Sequence, residues 1–374
     1  MSEHLFPSLT ALGLAVLILA AATPIRDAVR GYRSNAVAAL VADDQGYARA
    51  LDVRDFEFPR DHAAHPEYRT EWWYLTGNMF TPEGRRFGYQ VTIFRSALAP
   101  PDNANNSTDA GASGWRTRQV YFAHVAVSDI ESGTFLHDER FERGAMGLAG
   151  ASQGRTWIGD WTIQGDPHLG CRLLVTTDTF QLNFNLAPGS GHVLRGDRGL
   201  SAKSHEPGNN SYYYAFPRMP TIGSITLGDV EHAVTGLSWY DREWSTSALT
   251  RSQVGWDWFA IHGDDGTDLM VFQLRREEGT SDFATAALTR ADGSQLPFTA
   301  DQVTLSPLRH WTSQHSGSRY PIQWRLQIPA IGIDSVVMAS MANQEHTGSF
   351  RYWEGAVDAI GSYNGVGYLE MTGY

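Results

Sequence analysis

The sequence predicts an all-β protein that contains two tandem antiparallel β-barrel or β-sandwich domains. Aromatic residues make up 12% of the chain, and its 37 glycines occur without long runs of strong helix formers, a composition typical of strands and tight turns. From Phe56 onward, short alternating segments are separated by Gly, Asp, Asn and Pro, which favours strands joined by turns. The length of 374 residues is long for a single core, so we expect two domains.

Residues 1–35 are predicted to export the protein or to anchor it. Leu9–Ala22 is an uncharged apolar run that ends in three alanines, and it is shorter than the ~20 residues that a spanning helix needs. These features favour a cleaved signal peptide and a periplasmic location. The positive charges Arg26, Arg30 and Arg33 follow the run instead of preceding it, so an uncleaved membrane anchor stays open. Either outcome would allow association with a membrane or a transporter.

Composition excludes several classes of function. A formal net charge of −12 at pH 7 would repel phosphate backbones, so we expect no nucleic-acid partner. Cys171 is the single cysteine, which excludes an intrachain disulfide and a thiolate metal cluster. The sequence contains no phosphate-binding loop, no zinc-protease HExxH and no GxSxG elbow.

The first predicted domain covers residues 36–235, and the second covers residues 236–374. A loose internal repeat supports this division, because residues 71–95 and residues 255–276 each contain a Trp-rich strand, a Gly turn and a strand that carries Gln and ends with Arg. Two copies of one β-unit favour barrels or sandwiches that close their own edges. The polar loop at residues 99–114 is expected to lie on the surface.

The first strand of the first domain begins with a carboxylate beside two tryptophans. Alternation along a strand places Trp72 and Trp73 on opposite faces, so one ring should line the barrel interior while the other packs outside it or between domains. We expect that interior to be an aromatic box with a few buried polar groups. Glu71 is expected to be buried against Arg95 or Arg275.

The segment "GLSWYDREWS" contains the candidate catalytic acid. One face of the strand carries Trp239, Asp241 and Glu243, and the other carries Tyr240, Arg242 and Trp244. A carboxyl group flanked by tryptophan is partly desolvated, which raises its pKa and allows it to donate a proton near neutral pH. An ion pair with Arg242 is the structural alternative.

Other aromatic strands are candidates for the wall of a ligand pocket. Tyr212 and Tyr214 share one face of "SYYYAF", Trp256 and Trp258 share one face of "GWDWF", and Trp353 lies in "YWEGAV". Such side chains provide wide apolar walls with polar tips. Because tryptophan beside a carboxylate recurs along the chain, most of these pairs must be architectural.

No metal site is predicted. Asp61, His62 and His65 are ligand-type residues at close spacing in a loop, but no partner ligands can be named from the sequence. His124 lies inside the apolar run "YFAHVAV", where a core histidine and a functional one both stay open.

These motifs resemble the lipocalin-like family related to carotenoid 1,2-hydratase, also described as the AttH family. The resemblance runs from Phe58 to Tyr374 and is carried by "FPRDHAAHPEYRTEWWYLTGNM", "FGYQVTIFR", "VYFAHVAVSD", "SYYYAFPRM", "GLSWYDREWS", "GWDWFAI", "YWEGAV" and "GVGYLEMTGY". It implies two tandem lipocalin-like domains after an N-terminal hydrophobic helix. It also implies a hydrophobic small-molecule partner such as an isoprenoid, a polyene or a lipid. The hydratases add water to a terminal isoprenoid double bond without a cofactor, so we expect none.

The resemblance also implies roles for individual residues. Asp241 is the expected acid for hydration or isomerisation of an isoprenoid or other apolar alkene, with Tyr240 and Tyr214 as further catalytic candidates. The predicted ligand-binding residues are Trp72, Trp73, His124, Tyr212, Trp239, Glu243, Trp244, Trp256, Trp258 and Trp353. The chain resembles the exported branch of the family, for which the resemblance implies no reaction. An exported lipid or isoprenoid carrier therefore stays open, as does a structural or transporter-partner protein without a cavity.

Overall fold

The computed structural model describes residues 45–101, 117–247 and 249–374. Within these ranges the chain forms two antiparallel sheets and contains no α-helix, so the predicted all-β fold of two tandem units is confirmed. No helix in the same ranges is long and apolar enough to cross a membrane. The predicted export or anchor segment and most of the polar loop at 99–114 lie outside the described residues.

The first sheet has thirteen strands in the described part of the chain. Their bounds are β1 Thr70–Phe80, β2 Arg86–Ala97, β3 Gln119–Asp129, β4 Thr134–Arg143, β5 Ala149–Ser152, β6 Arg155–Ile158, β7 Trp161–Asp166, β8 Gly170–Thr176, β9 Phe180–Leu186, β10 Val193–Leu194, β11 Leu200–Ala202, β12 Asn210–Leu227 and β13 Val230–Ser245. Their order is β4-β3-β2-β1-β13-β12-β9-β8-β7-β6-β5, and β10 and β11 pair with β12.

The second sheet has ten strands among the described residues. Their bounds are β14 Gln253–Gly263, β15 Asp268–Arg276, β16 Ser281–Thr289, β17 Gln295–Thr299, β18 Thr304–Thr312, β19 Arg319–Ile328, β20 Ile333–Ala339, β21 Glu345–Thr347, β22 Arg351–Gly361 and β23 Gly365–Met371. Their order is β17-β16-β15-β14-β23-β22-β20-β19-β18, and β21 pairs with β22.

The chain passes from the first sheet to the second between Ser245 and Gln253. The boundary placed near residue 235 falls inside β13. This strand pairs with β1 without interruption from Thr235 to Ser245, and it pairs with β12 between Val230 and Trp244 with one shift of register at Phe216 and Met219. The first sheet therefore includes the whole "GLSWYDREWS" segment.

The internal repeat corresponds to two hairpins at equivalent places in the two sheets. β1 and β2 form one hairpin, and β14 and β15 form the other. Their turns contain Gly84 at φ +91° and Gly266 at φ +85°, a backbone region that glycine enters without a steric penalty. Each hairpin lies inside its sheet, where β1 also pairs with β13 and β14 with β23.

Burial along the strands shows where the two sheets meet. β9 alternates strictly between buried apolar and exposed polar residues, as expected for a strand with one face in water. β1 and β2 are buried almost continuously, because one face covers the core of the first sheet while the other faces the second sheet. At this seam, Asn78 Nδ2 of β1 donates to the carbonyl oxygen of Gly367 in β23 at 3.1 Å.

Glu71 lies in a fully buried ion cluster at the start of β1. Its carboxylate binds the guanidinium groups of Arg95 on β2 and Arg242 on β13, and all three side chains are 0% exposed. Burial acts to raise the pKa of Glu71, but Arg242 and Arg95 outweigh it and hold the pKa well below its usual range. The predicted pairing with Arg95 is confirmed, whereas Arg275 pairs with Asp257.

Candidate active site

A cavity of about 180 Å³ lies between the two sheets. Its wall combines β1, β2, β3, β12 and β13 of the first sheet with β14, β15, β22 and β23 of the second. The aromatic box that was expected inside a barrel therefore lies between the two sheets. The physical reason is that large apolar side chains already fill the hydrophobic core that packs against each sheet. Trp161 lies in the core of the first sheet and Trp324 in that of the second.

Asp241 lies in the wall of this cavity and is 4% exposed. The Tyr213 hydroxyl donates to Asp241 Oδ2 at 2.7 Å, and Trp239 Nε1 donates to Asp241 Oδ1 at 2.7 Å. The register of β12 and β13 pairs Ala215 with Asp241 and Tyr213 with Glu243, which places these side chains on one face of the sheet. The Asp241 carboxyl is thus held in a fixed orientation toward the cavity.

Burial raises the pKa of Asp241 to about 7. The Arg195 guanidinium and the hydrogen bonds from Tyr213 and Trp239 oppose this rise, while Glu243 adds to it. Arg242, the alternative partner considered for Asp241, binds Glu71 instead. The Asp241 carboxyl can therefore exist in both protonation states near neutral pH, as a general acid must.

Two further carboxyl groups face the cavity from the second sheet. The register of β22 and β23 pairs Glu354 directly with Glu370, and the Tyr74 hydroxyl of β1 donates to Glu354 Oε1 at 2.6 Å. Burial and the neighbouring Glu370 raise the pKa of Glu354 well above its usual range. Burial also raises the pKa of Glu370 to about 7. This side of the cavity consequently carries less negative charge at neutral pH than two ordinary glutamates would.

Glu243 has a different environment from Asp241, although it lies only two residues away on the same face of β13. Lys203 Nζ approaches Glu243 Oε1 at 2.7 Å, and the Ser211 hydroxyl donates to the same oxygen. An ammonium partner and a hydroxyl donor stabilise a carboxylate. The cavity thus combines an acid that can be neutral with an ion-paired carboxylate.

Aromatic rings supply most of the remaining wall. Trp72 lies on the first sheet, and Trp256 and Trp258 lie on β14 of the second. In the same wall, Phe94 stacks on Phe122 with ring centroids 4.5 Å apart, and both rings are half-buried. The cavity therefore has an apolar wall that reaches the protein surface.

His124 lies at the junction of the two sheets, where Nδ1 is 3.0 Å from the Tyr352 hydroxyl. Burial and the nearby His137 lower the pKa of His124 to about 3. The ring is therefore neutral at physiological pH and serves as a hydrogen-bonding part of the cavity wall.

The structure brings together only some of the predicted site residues. At the cavity it places Trp72, His124, Asp241, Glu243, Trp256 and Trp258. In the core of the first sheet it places Trp73, Tyr212, Tyr214, Tyr240 and Trp244, and in that of the second it places Trp353. Trp239 is buried between the sheets and reaches the site through its N–H bond to Asp241.

One physical reason explains why the residues in the two cores do not line the cavity. Their strands contact the cavity with the opposite face, because successive side chains of a strand alternate. In β12, the cavity face carries Tyr213 rather than the two tyrosines that flank it. Tyr74, Lys203, Glu354 and Glu370 also line the cavity but were not selected from the sequence. Their selection required the register between strands that lie far apart in the chain.

The profile of the AttH-like family matches residues 49–374. A solved structure from Nitrosomonas europaea assigned to AttH is similar at a TM-score of 0.78 and 34% identity, over 87% of this chain and 99% of that one. The crystal structure of kievitone hydratase from Nectria haematococca has a similar fold, with a TM-score of 0.64 and 15% identity over 85% of this chain and 92% of that one.

Two curated relatives are a hydratase and a dehydratase. Kievitone hydratase of Fusarium solani subsp. phaseoli is 27% identical over 129 residues, which cover 33% of this chain and 36% of that one. Dehydratase asqC of Emericella nidulans is 27% identical over 172 residues, which cover 42% of this chain and 48% of that one. The chain thus aligns with less than half the length of either relative.

Proposed function

This chain belongs to the AttH-like family, and we propose that it adds water to, or eliminates water from, a carbon–carbon double bond of an apolar small molecule. The observation that carries this proposal is the Asp241 carboxyl, with a pKa near 7, in the wall of an aromatic cavity. The substrate class that fits best is an isoprenoid or another polyene, because an electron-rich alkene accepts a proton at carbon and needs little polar recognition.

The reaction proceeds by proton transfer from Asp241 to carbon. A C–H bond forms at one alkene carbon, Asp241 becomes a carboxylate, and positive charge develops on the more substituted neighbouring carbon. The rings of Trp72, Trp256 and Trp258 stabilise this cation, because the face of an aromatic ring attracts positive charge. Water then attacks the cationic carbon and forms the C–O bond. Elimination follows the same steps in reverse.

Glu243 is the proposed acceptor of the proton that the attacking water releases. Asp241 and Glu243 are two residues apart on one face of a strand, so their Cα atoms are about 7 Å apart. Lys203 Nζ lies 2.7 Å from Glu243 Oε1, whereas burial favours the neutral form of Asp241. The two carboxyl groups therefore have different partners, which supports different roles in the reaction. Return of this proton from Glu243 to Asp241 restores both groups, so alkene and water give the alcohol without a further reactant.

The size of the cavity limits what part of the substrate reacts inside it. A volume of about 180 Å³ is close to that of a cavity of about 150 Å³ that holds benzene. The branched end of an isoprenoid therefore fits beside Asp241, whereas a whole polyene does not. The rest of the chain would leave past Phe94 and Phe122, where the wall meets solvent.

The direct test is incubation with farnesol, an isoprenoid alcohol with branched double bonds, in water labelled with heavy oxygen. We expect a product that has gained one labelled water, detected by mass spectrometry. The initial rate should fall as the pH rises through about 7, because Asp241 loses the proton that it donates. A rate that increased over this pH range would contradict the assignment of Asp241 as the acid.

The identity of the natural ligand can be obtained from the purified protein. Small molecules extracted from it and analysed by mass spectrometry should include a polyene or its hydroxylated product. Recovery of an unmodified lipid, together with no reaction of any alkene tested, would instead support a carrier without catalysis.

Export is part of the proposal and rests on the sequence alone. The apolar run Leu9–Ala22 supports a periplasmic location or a membrane anchor, which would place the cavity close to membrane-derived isoprenoids and lipids. The mature N-terminus, determined after expression of the full chain, distinguishes cleavage from anchoring.

A further inference from the structure

A cluster of metal-type ligands lies on the first sheet, on the face of β12 opposite the cavity. His62 ends a short 3-10 turn before β1, Asp166 ends β7, and His168 lies in the turn before β8. His62 Nε2 is 3.1 Å from Asp166 Oδ1 and 3.1 Å from His168 Nδ1. His168 Nδ1 is 3.3 Å from Asp166 Oδ1. Three potential ligand atoms thus form a nearly equilateral triangle.

The size of the triangle fits a bound transition-metal ion. Ligand bonds to Zn²⁺ are about 2.0–2.2 Å long, and the edge of a tetrahedron is about 1.6 times its centre-to-vertex distance, so adjacent ligand atoms should be about 3.3 Å apart. The three observed separations lie close to this value. His62 is buried, whereas Asp166 and His168 are 25% and 26% exposed, so a fourth position can be open to water.

Both histidine rings are also oriented by their second nitrogen atom. The Tyr214 hydroxyl is 2.6 Å from His62 Nδ1, and His192 Nδ1 is 2.8 Å from His168 Nε2. Metal-binding histidines typically use the second ring nitrogen in such a hydrogen bond, which fixes the tautomer and the direction of the coordinating atom. The contacts of these second nitrogen atoms are independent of the distances within the triangle, and they also favour a metal site.

The tautomer of His168 decides whether hydrogen bonds alone can satisfy the triangle. When His168 donates Nε2–H to His192, the lone pair of His168 Nδ1 faces the Asp166 carboxylate. Two acceptors then oppose each other at 3.3 Å in a partly buried position, which is unfavourable. A cation at the centre would interact favourably with all three atoms. The Phe58 ring, with its centroid 4.9 Å from that of His62 and 4.4 Å from that of His168, would shield it on one side.

We propose that His62, Asp166 and His168 bind a divalent transition-metal ion of the Zn²⁺ type, with water at the open position. The ion fastens the segment before β1 to the β7–β8 hairpin. The cluster revises the expectation that no metal site is present. Of the three loop residues considered there, only His62 takes part, because Asp61 binds Arg54 at 2.6 Å and His65 binds Glu71 at 3.2 Å.

The site is tested by titrating metal-depleted, untagged protein with Zn²⁺ alone in a calorimeter. We expect one ion per chain and an unfolding temperature that rises with the Zn²⁺ concentration. His168→Ala should weaken binding by more than about 100-fold, since loss of a ligand exceeds the effect of a supporting residue. Tyr214→Phe should weaken it by about 10–100-fold, and His310→Ala, an exposed histidine on β18, should leave it unchanged.

Circular dichroism shows whether each variant folds. Should His168→Ala fail to fold, the partly exposed Asp166→Asn replaces it, because the amide keeps the size of the side chain and removes its charge. Zn²⁺ affinity in Asp166→Asn or His168→Ala equal to that of the unaltered protein would overturn the proposal. Absence of Zn²⁺ binding by the unaltered protein would overturn it as well. Neither result depends on the proposed hydration activity.

Discussion

Replacing Asp241 by Asn is expected to lower turnover of an alkene substrate by about 10²–10⁴-fold, the usual contribution of a general acid. The amide has nearly the same shape as the carboxyl but cannot transfer a proton to carbon. Trp239 N–H can still donate to the amide oxygen, and the Tyr213 hydroxyl can rotate to accept from the amide nitrogen. Ligand affinity, measured by quenching of tryptophan fluorescence with farnesol, should therefore be kept.

The matched control is Asp334→Asn, which removes an exposed carboxylate paired with Arg325 in the second sheet. This change should leave both turnover and affinity unaltered. A protein that only carries its ligand would respond equally weakly to both substitutions. Equal turnover of Asp241→Asn and Asp334→Asn would therefore reject the catalytic role of Asp241 while leaving the cavity as a binding site.

Replacing Glu71 by Gln is expected to destabilise the protein by about 3–5 kcal/mol, the range found when one partner of a buried ion pair is removed. The Gln side chain preserves the volume but leaves the guanidinium groups of Arg95 and Arg242 buried without their shared carboxylate. The backbone N–H of His65, which donates to Glu71 Oε1 at 2.9 Å, keeps an acceptor in the amide oxygen. The loss is thus mainly electrostatic and is measured by urea unfolding.

Glu57→Gln is the control for this second prediction. Glu57 pairs with Arg60 at 2.9 Å, but the two side chains are 63% and 71% exposed, so water already screens the interaction. The urea concentration at the midpoint of unfolding should hardly change in Glu57→Gln. Equal midpoints for Glu71→Gln and Glu57→Gln would show that the buried cluster does not hold the first sheet together.

The fold was predictable because composition and alternation depend on each strand separately. Aromatic and glycine content, together with the short alternating segments, indicated an all-β chain. Alternation alone also placed Asp241 with Glu243, and Trp256 with Trp258, on common faces. Burial of Glu71 against an arginine followed from the cost of leaving a carboxylate unpaired among aromatic rings, but the choice of Arg95 over Arg275 did not.

The location of the cavity was not predictable, because it depends on register between distant strands. Tyr213, and not Tyr212 or Tyr214, faces Asp241, since β12 and β13 pair in one register and the second sheet covers that face. Glu354 and Glu370 become partners only when β22 and β23 pair. A strand that is buried on both faces shows no alternation of apolar and polar residues. Its sequence therefore does not tell which face packs on the core of its own sheet and which face contacts the other sheet.

We infer that the carboxyl of Asp241 stays protonated close to neutral pH in the wall of a cavity between the two sheets. Infrared spectra of the unaltered protein minus those of Asp241→Asn, recorded across a pH titration, isolate the carbonyl stretch of this one acid from those of Glu354 and Glu370. We predict a protonated-carboxyl band that disappears with a midpoint near pH 7. A band already lost near the ordinary aspartate value of 3.8 would contradict the account.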